Sequence, residues 1–134
     1  ALAARTLKNQ PVFRFFGRDE MVDTINSADL YVHPAEIEIE SIACLEAITC
    51  GLVPVISNSD RSAARYFALR EDNLFEAGNA ENLAKKIDYW LDDPQKRAER
   101  SLEYSGFTKK FSQEYCMDEM EKMIIETAAE HAAS

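Results

Sequence analysis

The stretch from Ala28 to Ser57, A-D-L-Y-V-H-P-A-E-I-E-I-E-S-I-A-C-L-E-A-I-T-C-G-L-V-P-V-I-S, constrains the fold more than any other part of the chain. A short apolar run, Leu30 to Val32, leads into a turn crowded with acids at Glu36, Glu38 and Glu40. A helix predicted from about Ser41 to Cys50 stops at Gly51, and a second apolar run, Val53 to Ile56, follows at once. Two strands joined through a helix are parallel, because the helix supplies the crossover that parallel pairing needs. Open α/β sheets bind ligands beyond the carboxyl ends of their strands, which puts the acidic turn where a site is expected.

The flanking sequence extends this unit into an α/β fold with a Rossmann-like parallel sheet flanked by helices. Val12 to Phe16 reads as a strand ending at Gly17, and Arg18-Asp19 opens a helix from about Glu20 to Ser27 whose Met21, Val22, Ile25 and Ala28 share a face. Ser57 to Asp60 is a polar turn suited to capping a short helix from Arg61 to Leu69, and Asn73 to Glu76 is a further strand. Leu83, Ile87, Trp90 and Leu91 give the helix Ala80 to Leu91 its apolar stripe. Pro94 fits the first position of a helix running towards Ser105 or beyond. A last helix, from near Ser112, carries Met117, Met120, Ile124 and Ala128 on a stripe expected to be core. The α/β core is thus predicted over about 1–78 and the C-terminal helices over about 79–134, in a single domain. Leu2 to Leu7 reads as the last turns of a helix, so the chain is expected to be a truncated piece of a larger protein.

At 134 residues there is enough chain for one core. A formal net charge of −9 argues against nucleic acid as a partner and against a basic membrane-binding surface. It also means that an anionic ligand must be met by helix N-termini and local cations. Cys44, Cys50 and Cys116 lack metal-ligand spacing and are expected to be reduced, buried thiols of a cytoplasmic protein. No metal site is expected, Asp92-Asp93 merely closing a helix before Pro94. The chain contains neither a P-loop nor a G-x-G-x-x-G sequence.

Seven residues separate Glu38 from Glu46, and Glu46 stands among Cys44, Leu45, Ala47 and Ile48. A carboxylate in such company needs donors for its hydrogen bonds, and sugar or ribose hydroxyls supply them. The plainer alternatives are a helical glutamate facing water and an exposed loop acid at Glu38, with Glu36 and Glu40 solvated. The first turn of the helix offers the N–H groups of Ile39, Glu40, Ser41 and Ile42 to a phosphate or sugar, or is simply capped by Glu40 or Ser41. His33, at a strand end, reads as a structural hydrogen-bonding residue before a catalyst. Glycoside hydrolysis fits poorly, since it needs two carboxyls facing each other across a cleft.

Glu38-x7-Glu46, with Ala47, Cys50-Gly51 and the following P-V-I, resembles the E-x7-E region of retaining, GT-B-fold glycosyltransferases of the large family 4. The resemblance covers roughly Phe13 to Phe75, and E-I-E-x-I-x-C-L-E-A-I with G-L-V-P-V-I-S is similar to bacterial enzymes that glucosylate diacylglycerol. It implies a partial GT-B C-terminal domain of an enzyme moving a hexose from a nucleotide sugar, UDP-glucose, to an acceptor hydroxyl of a lipid or saccharide. No cofactor or metal is implied. Glu46 would take the ribose hydroxyls, Glu38 would serve the donor sugar or the charge of the breaking bond, and Gly17 and Arg18 would pass near the base. Where the family's motif opens E-G-F-G, Ile39, Glu40 and Ser41 follow Glu38 here, placing side chains where bare backbone usually approaches the donor.

By the same resemblance two earlier strands, the cations steadying the diphosphate and an N-terminal domain lie outside these residues. The fragment alone would be inactive, with its last helix uncovered or paired in a homodimer. The full enzyme would be cytoplasmic, or peripheral at the inner face of the membrane. Two other readings stay open: a silent nucleotide-binding or regulatory module, and an α/β interaction domain.

Overall fold

In the computed structural model, which describes residues 8–132, the central unit is a parallel βαβ arrangement. Strand β1 (Tyr31–His33) pairs with β2 (Pro54–Asn58), and the helix between them is α2 (Ile42–Thr49). A third strand, β3 (Leu74–Glu76), pairs with β2 on its other side, giving a sheet in the order β1-β2-β3 with every pair parallel. Val32 stands opposite Val55 and Ile56 opposite Leu74. The middle strand is apolar throughout its first three residues and buried on both faces, as a strand covered on both sides must be.

Helix α2 turns Cys44, Ala47 and Ile48 inward at three- and four-residue spacing. It ends in a Schellman arrangement: the Gly51 N–H donates to the Ile48 carbonyl and the Leu52 N–H to the Ala47 carbonyl, both at 3.1 Å. Gly51 takes φ +92°, a backbone that glycine adopts without a Cβ clash, and the chain turns there directly into β2.

Helix α3 (Ala80–Leu91) packs against β3, and α4 (Pro94–Phe107) packs against both α2 and α3. Asn79 caps α3 by accepting from the Asn82 N–H, and Asp93 caps α4 by accepting from the Lys96 N–H, each at 2.9 Å. Trp90 and Tyr104 are fully buried, each with its polar tip matched. Trp90 Nε1 donates to the Asp72 carbonyl at 3.1 Å, and the Tyr104 hydroxyl donates to the Phe67 carbonyl at 3.0 Å.

Several elements differ from the sequence expectation. Val12 to Phe16 is not a strand, and Val12, Phe13 and Phe15 are exposed. A strand exists only where a neighbour accepts its ladder, and among the described residues β1 pairs with β2 alone. Helix α1 (Arg18–Asn26) starts earlier than predicted and buries none of its residues fully. The strands β1 and β2 each begin one residue later than expected.

Arg61 to Leu69 is not an α-helix; a 3₁₀ segment, Ala63–Phe67, stands in its place. The Glu38 N–H donates to the Arg61 carbonyl at 3.2 Å and the Ala63 N–H to the Glu38 carbonyl at 2.9 Å. That bridge keeps Ser62 extended, where a helix would have run on from Arg61.

The last helix, α5 (Gln113–Ala132), leaves Met117, Met120, Ile124 and Ala128 exposed, so the stripe expected as core is a surface. All three cysteines are free, but only Cys44 is buried, since Cys50 and Cys116 lie on outward-facing positions. The predicted helix at Leu2 to Leu7 lies outside the described residues. Among those described, no helix is long and apolar enough to cross a membrane.

Candidate functional site

Tyr31 and His33 are two apart on β1 and share the face on which their side chains meet. The Tyr31 hydroxyl lies 3.0 Å from His33 Nδ1. His33, only 7% exposed, turns its Nε2 towards the acidic turn, 3.4 Å from Ser41 Oγ and 3.9 Å from Glu38 Oε2. Hydroxyls donate or accept whereas an ionised carboxylate only accepts, so the neutral imidazole with its hydrogen on Nε2 is the tautomer that suits all three neighbours. Nδ1 is then the acceptor, and Tyr31 donates to it.

Burial pushes the Tyr31 phenol up to about 12, and the charges of Cys44, Glu38 and Glu46 push in the same direction. The phenol therefore stays protonated, consistent with its donor role. The phenol thus feels the charge of both Glu38 in the turn and Glu46 in α2.

Glu38 is held below the usual carboxylate range, first by the Ile39 N–H, which donates to its Oε1 at 2.9 Å. The N–H groups of Ser41 and Glu40 and the nearby His33 act the same way. Burial lowers the His33 pKa, while Glu38 pulls against it. At pH 7 the pair is a carboxylate beside a neutral imidazole.

These shifts fix a sign for the pH dependence of stability. Both folded-state pKa values lie below the ordinary values of 6.5 and 4.5, so the unfolded chain binds more protons than the folded one as pH falls. Stability is expected to be fully present above pH 6.5, to decline below it as His33 is protonated, and to decline again below 4.5 through Glu38. Thermal melts between pH 8 and pH 4, with an NMR titration of the His33 ring, check this; a His33 midpoint above 6.5 contradicts it.

Ser41, 2% exposed, is the residue that turns the chain into α2, with φ 56° and ψ 43°. A side chain in this left-handed conformation costs on the order of 1 kcal/mol. The position is the second glycine of the E-G-F-G pattern, so this chain keeps the turn without the glycine. Its hydroxyl does not cap the helix but points inward to His33.

Each residue singled out in the sequence has a definite place. Glu46 is exposed rather than enclosed by its apolar sequence neighbours, because α2 turns it away from Cys44, Ala47 and Ile48. It lines a cleft of about 610 Å³ together with Arg18, Phe16, Met21, Ile25 and Cys50. Gly17 precedes α1 with an ordinary φ of −65°, and nothing lies within 4 Å of where a Cβ would stand, so its backbone does not require glycine. Ile39, Glu40 and Ile42 are exposed. The Ile39 N–H, expected to greet a phosphate, is occupied by the Glu38 carboxylate.

Glu36 faces the Arg61 guanidinium at 3.5 Å. Among the described residues no His, Cys, Asp and Glu side chains cluster as a metal site would require. Tyr31 is the participant that the sequence reading missed. Its signal was the Y-x-H spacing directly before the acidic turn.

A family model described as Glycosyl transferases group 1 matches residues 1–105. Over 68 residues, 51% of the chain, the sequence is 40% identical to the lipopolysaccharide glucosyltransferase WaaG of Escherichia coli (strain K12). That match spans 18% of the E. coli protein's length. Among solved structures, the catalytic domain of cholesterol-alpha-glucosyltransferase from Helicobacter pylori superposes with a TM-score of 0.77 at 43% identity, covering 83% of this chain and 70% of that one.

Proposed function

Because the chain belongs to the group 1 glycosyl transferases, whose fold here is of the GT-B type, we propose that it forms the donor-binding part of a retaining glucosyltransferase using UDP-glucose. The observation that supports this reading is the exposed Glu46 lining a cleft of about 610 Å³ with Arg18, on the helix that follows the turn in which Glu38 is held ionised. Glu46, exposed in a cleft shared with Arg18, accepts from the two ribose hydroxyls. Glu38, ionised and held by the turn, accepts from the hexose hydroxyls and steadies the positive charge that builds at the anomeric carbon.

The donor's glycosidic C–O bond breaks, its diphosphate leaves, and the acceptor oxygen bonds to the same carbon while passing its proton to the leaving diphosphate. Charge on the leaving diphosphate requires cations beyond this acidic chain, so the whole protein supplies them from other sequence. Glucose as the sugar is supported by the names of both relatives. Their names also give lipopolysaccharide and cholesterol, which favours a lipid acceptor, diacylglycerol by the finer resemblance. Work on such an acceptor with a nucleotide sugar suits an enzyme at the cytoplasmic face of a membrane.

The test is calorimetric titration of the full-length protein with UDP-glucose, followed by a transfer assay on diacylglycerol. Glu46→Ala removes two hydrogen bonds to a charged acceptor and is expected to weaken donor binding by about ten- to a hundred-fold. A full-length protein that neither binds the donor nor transfers from it overturns the proposal, as does tight binding that is indifferent to Glu46.

A further inference from the structure

We propose that His33 is a positioning residue for Glu38, holding its carboxylate in the arrangement that the donor sugar meets. The inference rests on the reading of Glu38 given above. It begins with the backbone. Glu38 is clamped by its bridge to the 61–63 segment, which fixes its Cα but leaves its side chain free to rotate. That side chain is 34% exposed, so packing alone does not choose its direction.

Polar groups do: beside the N–H groups of Ser41 and Glu40, which also act on it, each oxygen has a named neighbour. Oε1 takes the Ile39 N–H at 2.9 Å, and Oε2 faces His33 Nε2 at 3.9 Å. The second distance is too long for a hydrogen bond and acts through charge and dipole.

The imidazole can serve in this way because it is itself fixed. Tyr31 on the same strand occupies Nδ1, which sets the tautomer and the ring plane and leaves the Nε2 hydrogen aimed at the turn. Ser41 Oγ at 3.4 Å satisfies that hydrogen only weakly, so a buried donor remains available to the carboxylate. The charged and titratable groups around the ring are Tyr31 from the strand and Glu38 from the turn, with Cys44 and Glu46 of α2 acting on Tyr31. Protonation of His33 would place a cation 3.9 Å from Glu38 Oε2 and tie up the carboxylate that the sugar needs.

The experiment measures transfer from UDP-glucose by the full-length protein carrying His33→Leu, His33→Gln, Tyr31→Phe or Glu38→Gln. A carboxylate displaced by about 1 Å loses up to roughly 100-fold in rate, so His33→Leu is expected to lower kcat by ten- to a hundred-fold with KM nearly constant. His33→Gln restores an N–H donor and is expected to recover most of that loss while abolishing the acidic limb of the kcat profile.

If Glu38→Gln is impaired and His33→Leu is not, the positioning role is overturned and the function stands. If His33→Gln is as impaired as His33→Leu, the role is again overturned, since only packing would then matter. A harmless Glu38→Gln instead removes the functional reading itself. Should His33→Leu fail to fold, Tyr31→Phe decides: a several-fold fall in kcat with an intact fold supports the proposal, and an unchanged kcat overturns it.

Discussion

In the full-length protein, Glu38→Gln is expected to lower kcat by roughly 10²- to 10³-fold, the usual loss when one preorganised electrostatic group is removed from a transition state. The physical case lies in how much the substitution spares. A glutamine oxygen still accepts from the Ile39 N–H, and the backbone bridge from Glu38 to the 61–63 segment does not involve the side chain. The turn should therefore persist, and the melting midpoint should move little.

What disappears is the negative charge. The N–H groups of Ile39, Ser41 and Glu40 hold that charge ionised at neutral pH. Glu36 is engaged with Arg61. Steady-state kinetics beside a thermal melt check the prediction. A fall in kcat below about fivefold with the fold intact would show that this carboxylate is not the group the reaction depends on.

Arg100→Ala is expected to cost about 3–5 kcal/mol of folding stability, because it strands buried acceptors rather than merely deleting a contact. Arg100 is 5% exposed. Its two Nη atoms fork onto the Asp72 carboxylate at 2.7 and 3.1 Å, Nη1 also meets Asn73 Oδ1 at 2.5 Å, and Nε meets Glu103 Oε2 at 3.1 Å. The guanidinium also lies over the Trp90 ring, 5.1 Å from its centroid.

Asn73 is fully buried and donates in turn to the Pro54 carbonyl at 2.9 Å, so the arginine ties α4 through the Glu71–Asn73 turn to the first residue of β2. Alanine leaves Asn73 Oδ1 and one edge of Asp72 without a donor and opens a void beside Trp90. Arg100→Met separates the two effects, since it refills most of the void and leaves the acceptors stranded. Urea denaturation of the three proteins is the measurement. A loss under about 1 kcal/mol for Arg100→Ala would mean that water replaces the guanidinium at no cost, contrary to its burial.

Much of this molecule can be read along the chain. The βαβ order, the helix at Ala80–Leu91 and the proline opening α4 all follow from patterns that act within a few residues. Side-chain periodicity, a capping oxygen or a fixed φ decides each of them through sterics and hydrogen bonds made locally. The placing of an acidic turn between two parallel strands is legible for the same reason, since a helical crossover leaves no other geometry.

Partners across the chain are a different matter, because no local pattern specifies them. Val12 to Phe16 has the aromatic, β-branched make-up of a strand, yet Val12, Phe13 and Phe15 lie exposed, since composition sets a propensity and not a neighbour. Ser62 is held extended by Glu38, more than twenty residues away, against a sequence that reads as a helix start. The imidazole of His33 finds Tyr31, Ser41 and Glu38 only after β1 and the turn before α2 have folded against each other. Short-range forces, written in the order of the residues, determined the elements. The tertiary fold decided which polar groups meet, because burial leaves each donor and acceptor to find its partner wherever the packed chain brings one.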